Sequence, residues 1–291
     1  MPPQRTYLET IRRIKKITEK IAKTLSISGP FNIQFIAKGN EVKVIECNLR
    51  ASRSFPFVSK IVGRNFIDIA TRVMVGKPVS RESDPSLNLD YVGVKAPQFS
   101  FMRLDGADPT LGVEMASTGE VGCLGEDFEE AFLKALLSVG YRLPVRSILL
   151  STGPVEYKAA FVKSARLLSD IGITLYATRG TAAFLQASGT HSTVLPWPLE
   201  KESPNAIEYL QSRKIDLVIN IPKTFQEEEL TNDYLIRRRA VDLGIPLITN
   251  IQFAQRFVES IAEKPIEALQ IESYSHYAPQ AVSILRKTVQ L

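Results

Sequence analysis

Apolar and polar positions follow two rhythms along this chain, and the change falls near residue 140. In the first part, Leu8, Ile11, Ile14, Ile21 and Leu25 recur at helical spacing and predict an amphipathic helix over 7–26. After the turn Ser28-Gly29-Pro30, residues 31–37 and 42–46 read as two strands of a hairpin joined through Lys38-Gly39-Asn40. A helix is expected over 65–76, stopped by Gly76-Lys77-Pro78, then short β runs with loops over 91–123. Phe128, Ala131, Phe132, Ala135 and Leu136 mark one side of a helix over 127–139.

Gly140-Tyr141-Arg142-Leu143-Pro144 is the expected domain boundary, dividing the chain into 1–142 and 143–291. Beyond it, short apolar strands alternate with helices. Strands are expected at 147–151, 174–177, 192–195, 217–221 and 246–249. Helices are expected at 157–172, 180–188, 205–213, 233–243 and 251–262. Alternation of this kind implies a parallel sheet covered on both faces, whose ligands sit at the carboxyl ends of its strands. The tail after about residue 264 has no readable pattern.

Composition narrows the function classes. Of 291 residues 44% are hydrophobic and 23% charged, an ordinary globular balance. Net charge is +5, with Arg12, Arg13, Lys15, Lys16, Lys20 and Lys23 on the outer face of the first helix. No aromatic interleaving or base-reading motif accompanies that basic face, so nucleic acid is not the expected partner. Two cysteines, Cys47 and Cys123, and two histidines, His191 and His276, leave no disulfide framework, zinc site or histidine triad as an organising feature. No apolar run approaches the roughly 20 residues of a membrane span, and no signal peptide precedes the first helix.

Two constellations carry chemistry. In Val44-Ile45-Glu46-Cys47-Asn48-Leu49-Arg50-Ala51-Ser52-Arg53, strand alternation sends Glu46, Asn48 and Arg50 to one side, and Gln34 can meet them from the partner strand. One carboxylate and two amides are hard oxygen donors suited to Mg²⁺ or Mn²⁺ shared with phosphate. Arg50 and Arg53 are candidate donors to phosphate oxygens, the catalytic cations of a phosphoryl transfer. The plain alternative is a polar strand edge with surface arginines. The second constellation is Lys158 near a helix start, Ala177-Thr178-Arg179-Gly180-Thr181 at a strand-to-helix junction, and Asn220 at a strand end, with Trp197 in a Pro-flanked loop. Helix starts present unpaired N–H groups and attract anions. Against this, Thr178 alone reads as an N-cap and Trp197 alone as core.

The run from Ile45 to Lys60, with Gln34 and the downstream Met115-Ala116-Ser117-Thr118-Gly119-Glu120-Val121, resembles the end of the second ATP-grasp unit of carbamoyl phosphate synthetase large chains, closer to the eukaryotic form than the bacterial one. Residues 175–181, 216–220 and 234–242 resemble the methylglyoxal-synthase-like allosteric domain that ends those chains. The resemblance implies an α/β chain: a partial ATP-grasp domain followed by a Rossmann-like parallel-sheet domain. It implies Gln34, Glu46 and Asn48 as metal ligands, Gln34 and Glu46 near ATP, and carbamate phosphorylation as the reaction. It also implies Lys158, Thr178, Thr181, Trp197 and Asn220 as effector ligands, for a uridine nucleotide or N-acetylglutamate. Lys223 and Asp233 depart from the acylglutamate-regulated pattern. No residue matches the acid–base pair of true methylglyoxal synthases; His191 stands at none of their positions. The implied partners are the rest of the synthetase chain and a glutaminase, and the implied compartments are cytoplasm or mitochondrial matrix. The upstream half of the ATP-grasp unit does not precede residue 1, so the isolated chain is expected to lack ligase activity. The alternative is a stand-alone metabolite-binding regulatory module.

Overall fold

The computed structural model describes residues 1–79, 89–112, 114–222 and 227–277, with the side chains of 227–230 left aside. Its contacts divide it into two compact units. Unit 1 comprises Met1–Lys95, Gly122–Ala131 and the residues from Ile271 onward; unit 2 comprises Ala96–Val121 and Phe132–Gln270.

Unit 1 begins with α1 (Leu8–Thr24), followed by β1 (Asn32–Lys38) and β2 (Glu41–Asn48), which pair antiparallel. The hairpin turns through Gly39, whose φ of 57° is the left-handed region that glycine enters without strain. Thr10 Oγ1 donates to the Gly39 carbonyl at 2.9 Å and Arg13 to the Asn40 carbonyl at 2.8 Å, pinning α1 to that turn. The basic side chains Arg12, Arg13, Lys15 and Lys16 face solvent, and Ile11, Ile14 and Ile17 lie on the half-buried side.

After the hairpin come α2 (Ser54–Val62) and α3 (Phe66–Met74). The hydrophobic pattern gave no sign of α2, because Arg-Ser-Phe-Pro reads as loop. Pro56 sits in the first turn, where a missing N–H costs nothing, and the helix then runs to a left-handed Gly63. Ile61 is fully buried against Gly93, where a Cβ would stand 2.2 Å from its Cδ1, so only glycine fits. The last-turn carbonyls of α2 are taken up by tyrosines: Tyr274 Oη donates to Lys60 O at 2.7 Å and Tyr91 Oη to Ile61 O at 2.5 Å. Two further strands, β3 (Val92–Gln98) and β4 (Gly119–Gly125), form a second two-stranded sheet before α4 (Phe128–Ser138).

Unit 2 is built on β5 (Ser147–Thr152), α5 (Val155–Asp170), β6 (Thr174–Thr178), α6 (Arg179–Ala187), β7 (Thr193–Leu195), α7 (Ala206–Gln211), β8 (Leu217–Ile221), α8 (Glu227–Asp242), β9 (Leu247–Ile248) and α9 (Ile251–Glu263). The short α10 (Tyr274–Tyr277) follows and clusters with unit 1. All paired strands of the large sheet run parallel, in the order β7-β6-β5-β8-β9. Every residue of β5 and β8 is buried, as a sheet covered on both faces requires. The strand order reverses at β5 and β8, so their carboxyl ends flank the crevice where ligands of such sheets collect. The sequence placed each strand and helix of this unit within a few residues; α8 begins six residues before the expected 233. Tyr141, in the expected boundary segment, is half-buried in unit 2, its hydroxyl donating to Leu247 O at 3.1 Å and its ring beside Phe253 and Phe257.

Candidate functional site

On the unit 1 hairpin, register decides which side chains share a face. Gln34 pairs with Glu46 and Asn32 with Asn48. The register shifts between Gln34 and Phe35, so that Phe35 pairs with Val44 and Ile45 becomes an extra residue in β2. That bulge matters. Without it, strict alternation from Glu46 would place Val44 and Val42 on the polar face. With it, Val44 and Val42 pair with Phe35 and Ala37 on the opposite side, and Gln34, Glu46 and Asn48 share their face with the Ile36–Lys43 pair instead. Asn48 Nδ2 donates to Glu46 Oε1 at 2.9 Å, orienting the carboxylate and leaving the amide oxygen of Asn48 for another role. Gln34 and Glu46 are exposed.

Arg50 lies past the end of β2, so strand alternation does not reach it; its Nη1 donates to the adjacent Ala51 carbonyl at 3.1 Å. Arg53 occupies the position before α2 and is exposed. Among the described contacts, none joins either arginine to Gln34, Glu46 or Asn48. The donor set fits a hard cation that keeps water and phosphate in its shell. It offers one carboxylate and two amide oxygens, and among the described residues no group of three or more His, Cys, Asp or Glu side chains could cage a metal.

The second constellation forms in unit 2. Ser151 on β5 is the register partner of Asn220 on β8, at the point where the strand order reverses. Thr178 ends β6 and stands at the N-cap position of α6, yet its side chain makes no capping bond. Its Oγ1 turns inward to Ser151 Oγ at 3.4 Å and Thr181 Oγ1 at 3.5 Å. Thr181 Oγ1 in turn accepts from the Thr152 amide at 3.1 Å. Lys158, on the first turn of α5, puts its Nζ within 3.5 Å of where a Cβ on Gly180 would stand, over the start of α6. Lys158, Thr178, Thr181 and Asn220 therefore belong to one strand-end region.

Trp197 follows the end of β7 in an irregular turn and packs, half-buried, on the core around Leu149, Leu195 and Leu210. Its loop is tied to the same region. The Trp197 amide and Arg179 both bond Glu200, and the Leu199 amide bonds Asn232 Oδ1 at 3.0 Å. Glu202 and then Glu200 hydrogen-bond the Arg179 guanidinium and push its pKa up further. His191 is exposed in the turn before β7. Lys223 lies outside the described residues.

Four residues to which the sequence gave no site role, Ser151, Asp233, Arg237 and Asp108, complete the cluster. Asp233 Oδ1 accepts from Ser151 Oγ at 2.8 Å and from Asn220 Nδ2 at 2.9 Å. Arg237 Nη1 donates to Asn220 Oδ1 at 2.9 Å, and its Nε donates to Asp108 Oδ1 at 2.8 Å. Because arginine only donates and an ionised carboxylate only accepts, the Asn220 amide has one orientation that satisfies both neighbours. Ser151, as the end of a strand, was within reach of sequence reasoning. Asp108, 129 residues from Arg237, was not.

Comparison with known proteins bears on both regions. Residues 2–82 match the family model "Carbamoyl-phosphate synthase L chain, ATP binding domain" and residues 160–249 the model "MGS-like domain". Multifunctional protein pyrABCN of Emericella nidulans is 49% identical over 271 residues, 90% of this chain and 12% of that protein. The mitochondrial carbamoyl-phosphate synthase [ammonia] of Aquarana catesbeiana is 45% identical over 285 residues, 95% of this chain and 19% of that protein. The human protein of the same name is 43% identical over 288 residues, again 19% of its own length. The chain thus spans between about an eighth and a fifth of these relatives. Among the described residues no helix is long and apolar enough to cross a membrane. With an ATP-binding-domain segment, an MGS-like domain on a five-stranded parallel sheet, and such identity along nearly all its length, the chain belongs to the carbamoyl-phosphate synthase large-chain family.

Proposed function

We propose that this chain is part of an ATP-dependent carbamoyl-phosphate synthase, divided functionally at about residues 142–143 into the close of a phosphoryl-transfer site and an effector-binding domain. Gln34, Glu46 and Asn48 hold Mg²⁺ or Mn²⁺ against the phosphates of ATP, with Gln34 and Glu46 nearest the nucleotide. A cation held there would supply charge neutralisation for the phosphates. Arg50 and Arg53 face the phosphoryl group passed to carbamate and offset the charge that develops on it. In unit 2, Lys158, Thr178, Thr181, Trp197 and Asn220 take up an anionic effector, a uridine nucleotide or N-acetylglutamate, which makes the domain allosteric.

The observation that carries the first half is the hairpin register. It sets Gln34 opposite Glu46 and bonds Asn48 to the same carboxylate, on an open face within the matched ATP-binding-domain segment. The rest of a synthetase chain is the first partner and a glutaminase the second. Arginine or pyrimidine synthesis is the pathway, and cytoplasm or mitochondrial matrix the compartment. A second reading, a metabolite-binding module without chemistry, draws on the strand-end cluster, which is assembled within unit 2 alone.

Electron paramagnetic resonance of Mn²⁺ with ATP tests the first half on the full chain. Bound Mn²⁺ should require ATP and fall by about tenfold or more in Glu46→Gln, the scale of one lost charge-assisted ligand at 1.4 kcal/mol per decade. Equal Mn²⁺ binding by Glu46→Gln and the parent chain would refute the assignment.

A further inference from the structure

Ala96–Val121 belongs to unit 2 by contact, yet both of its chain neighbours, Lys95 and Gly122, belong to unit 1. It is an arm of unit 2 that the chain enters from unit 1 and leaves back into unit 1. Its hold is specific. Arg238 Nη1 donates to three successive bends of the arm, the carbonyls of Phe101 and Leu104 at 3.1 Å and of Ala107 at 2.9 Å. Tyr234 Oη donates to the Gly106 carbonyl at 2.9 Å. Arg237 grips Asp108 with two nitrogens, in the bidentate geometry that arginine makes with a carboxylate. All three donors lie on the last three turns of α8, and both arginines are buried.

The same Arg237 reaches the strand-end cluster with its third nitrogen. From the arm inward the bonds run Asp108, Arg237, Asn220, Asp233, Ser151, Thr178, Thr181 and the Thr152 amide. Apart from Asp108, every side chain in this series is buried, with Asn220 0%, Asp233 1% and Arg237 2% exposed. The donor directions are consistent from the arm to Ser151: Ser151 donates to Asp233, Asn220 to Asp233, and Arg237 to both Asn220 and Asp108, while the one Thr178 hydroxyl proton goes either to Ser151 at 3.4 Å or to Thr181 at 3.5 Å. In a buried polar series of this kind, loss of one member forces the next to find another partner in a place without water.

We infer that Arg237 and Asp108 are positioning residues that couple the strand-end effector cluster to the arm, so that the state of Thr178 and Thr181 is felt at residues 101–108 and the reverse. This rests on the effector reading above for its regulatory meaning, but the coupling itself is a property of the chain without ligand. An anion drawing hydrogen bonds from Thr178 and Thr181 competes with Ser151 for the Thr178 proton. That shifts the Ser151–Asp233–Asn220 bonds and changes the grip on Asp108. By linkage, whatever alters the arm must alter the effector's affinity by the same factor.

Amide hydrogen exchange of the full ligand-free chain tests it. Asp108→Ala touches only the arm end. The coupling requires faster exchange at the Thr152 amide, at the far end, by about fivefold or more, the lower edge of typical coupling. The equally buried Ile148 and Leu149 amides, off the series, should keep their rates. Asp108→Glu should restore the parent rate at Thr152, and Asp108→Asn, which keeps one acceptor, should fall between. Acceleration confined to residues 101–108 and α8, with Thr152 unchanged, would overturn the inference, as would equal acceleration at Ile148 and Leu149. Since no ligand enters this measurement, failure of UTP or N-acetylglutamate to bind would strike the effector reading alone.

Discussion

The two candidate sites occupy opposite kinds of ground. The hairpin face of unit 1 is open: Gln34 and Glu46 stand in solvent on a two-stranded sheet, and one side-chain bond, Asn48 to Glu46, organises them. The strand-end cluster of unit 2 is closed, with its hydroxyls, amide and carboxylate bonded to one another at the edge of a sheet buried on both faces. An exposed set of oxygen donors changes little in stability when altered and depends on what is brought to it, a cation and a nucleotide. A buried polar network is part of the fold, and any ligand that enters it must trade bonds already made. The first arrangement suits a substrate site completed from outside and the second suits a sensor.

Removing Arg237 should separate the two grounds most sharply. Arg237→Ala strips Asp108 of both guanidinium donors and leaves the buried Asn220 Oδ1 with one donor fewer, and should cost unit 2 about 3 kcal/mol, at the low end for a broken buried pair because Asp108 is partly exposed. Trp197, the single tryptophan, lies in unit 2 and reports this as a lowered urea midpoint in fluorescence. A shift under 1 kcal/mol would mean that the network is not part of the fold's stability.

A mid-sized effect should appear at alkaline pH. Burial raises the Tyr141 pKa well above its ordinary 10.0, so the folded protein keeps this proton where the unfolded chain has lost it. Stability from this group is fully present below pH 10 and falls as pH rises above it, since unfolding then releases a proton. Tyr141→Phe should flatten the decline of stability between about pH 10 and 11.5, measured by urea midpoints across that range. An unchanged slope would count against burial of the hydroxyl.

The smallest effect belongs to the open face. Glu46→Gln should leave the Trp197 transition within about 0.5 kcal/mol of the parent, as surface substitutions do, while abolishing most ATP-dependent Mn²⁺ binding. A large loss of stability there would erase the contrast between the sites.

How much of this the sequence disclosed follows the same division. The parallel sheet was legible because each buried strand is a short apolar run between helices. That Gln34, Glu46 and Asn48 share one strand face was legible because strand periodicity is local, although the bulge at Ile45 that keeps Val44 off that face was not. Helix α2 was hidden by Pro56, harmless in a first turn but indistinguishable from a breaker in the sequence. Thr178 alone also read as an N-cap, and the sequence could not show that its hydroxyl turns towards Ser151 instead of capping α6. Arg237 and Asp108 carry no pattern, because a bond across 129 residues is a product of topology.

Calorimetric titration of UTP and of N-acetylglutamate into the full chain, with Thr181→Ala and Lys158→Ala beside it, tests the central claim that an anionic metabolite lodges where these strand ends and helix starts meet. One of the two compounds should bind, and each substitution should weaken it about tenfold, with the stability reported by Trp197 falling by no more than about 1 kcal/mol in Lys158→Ala and about 3 kcal/mol in Thr181→Ala, which strands the buried Thr152 amide. Binding of neither compound, or equal binding by the parent and both variants, would contradict it.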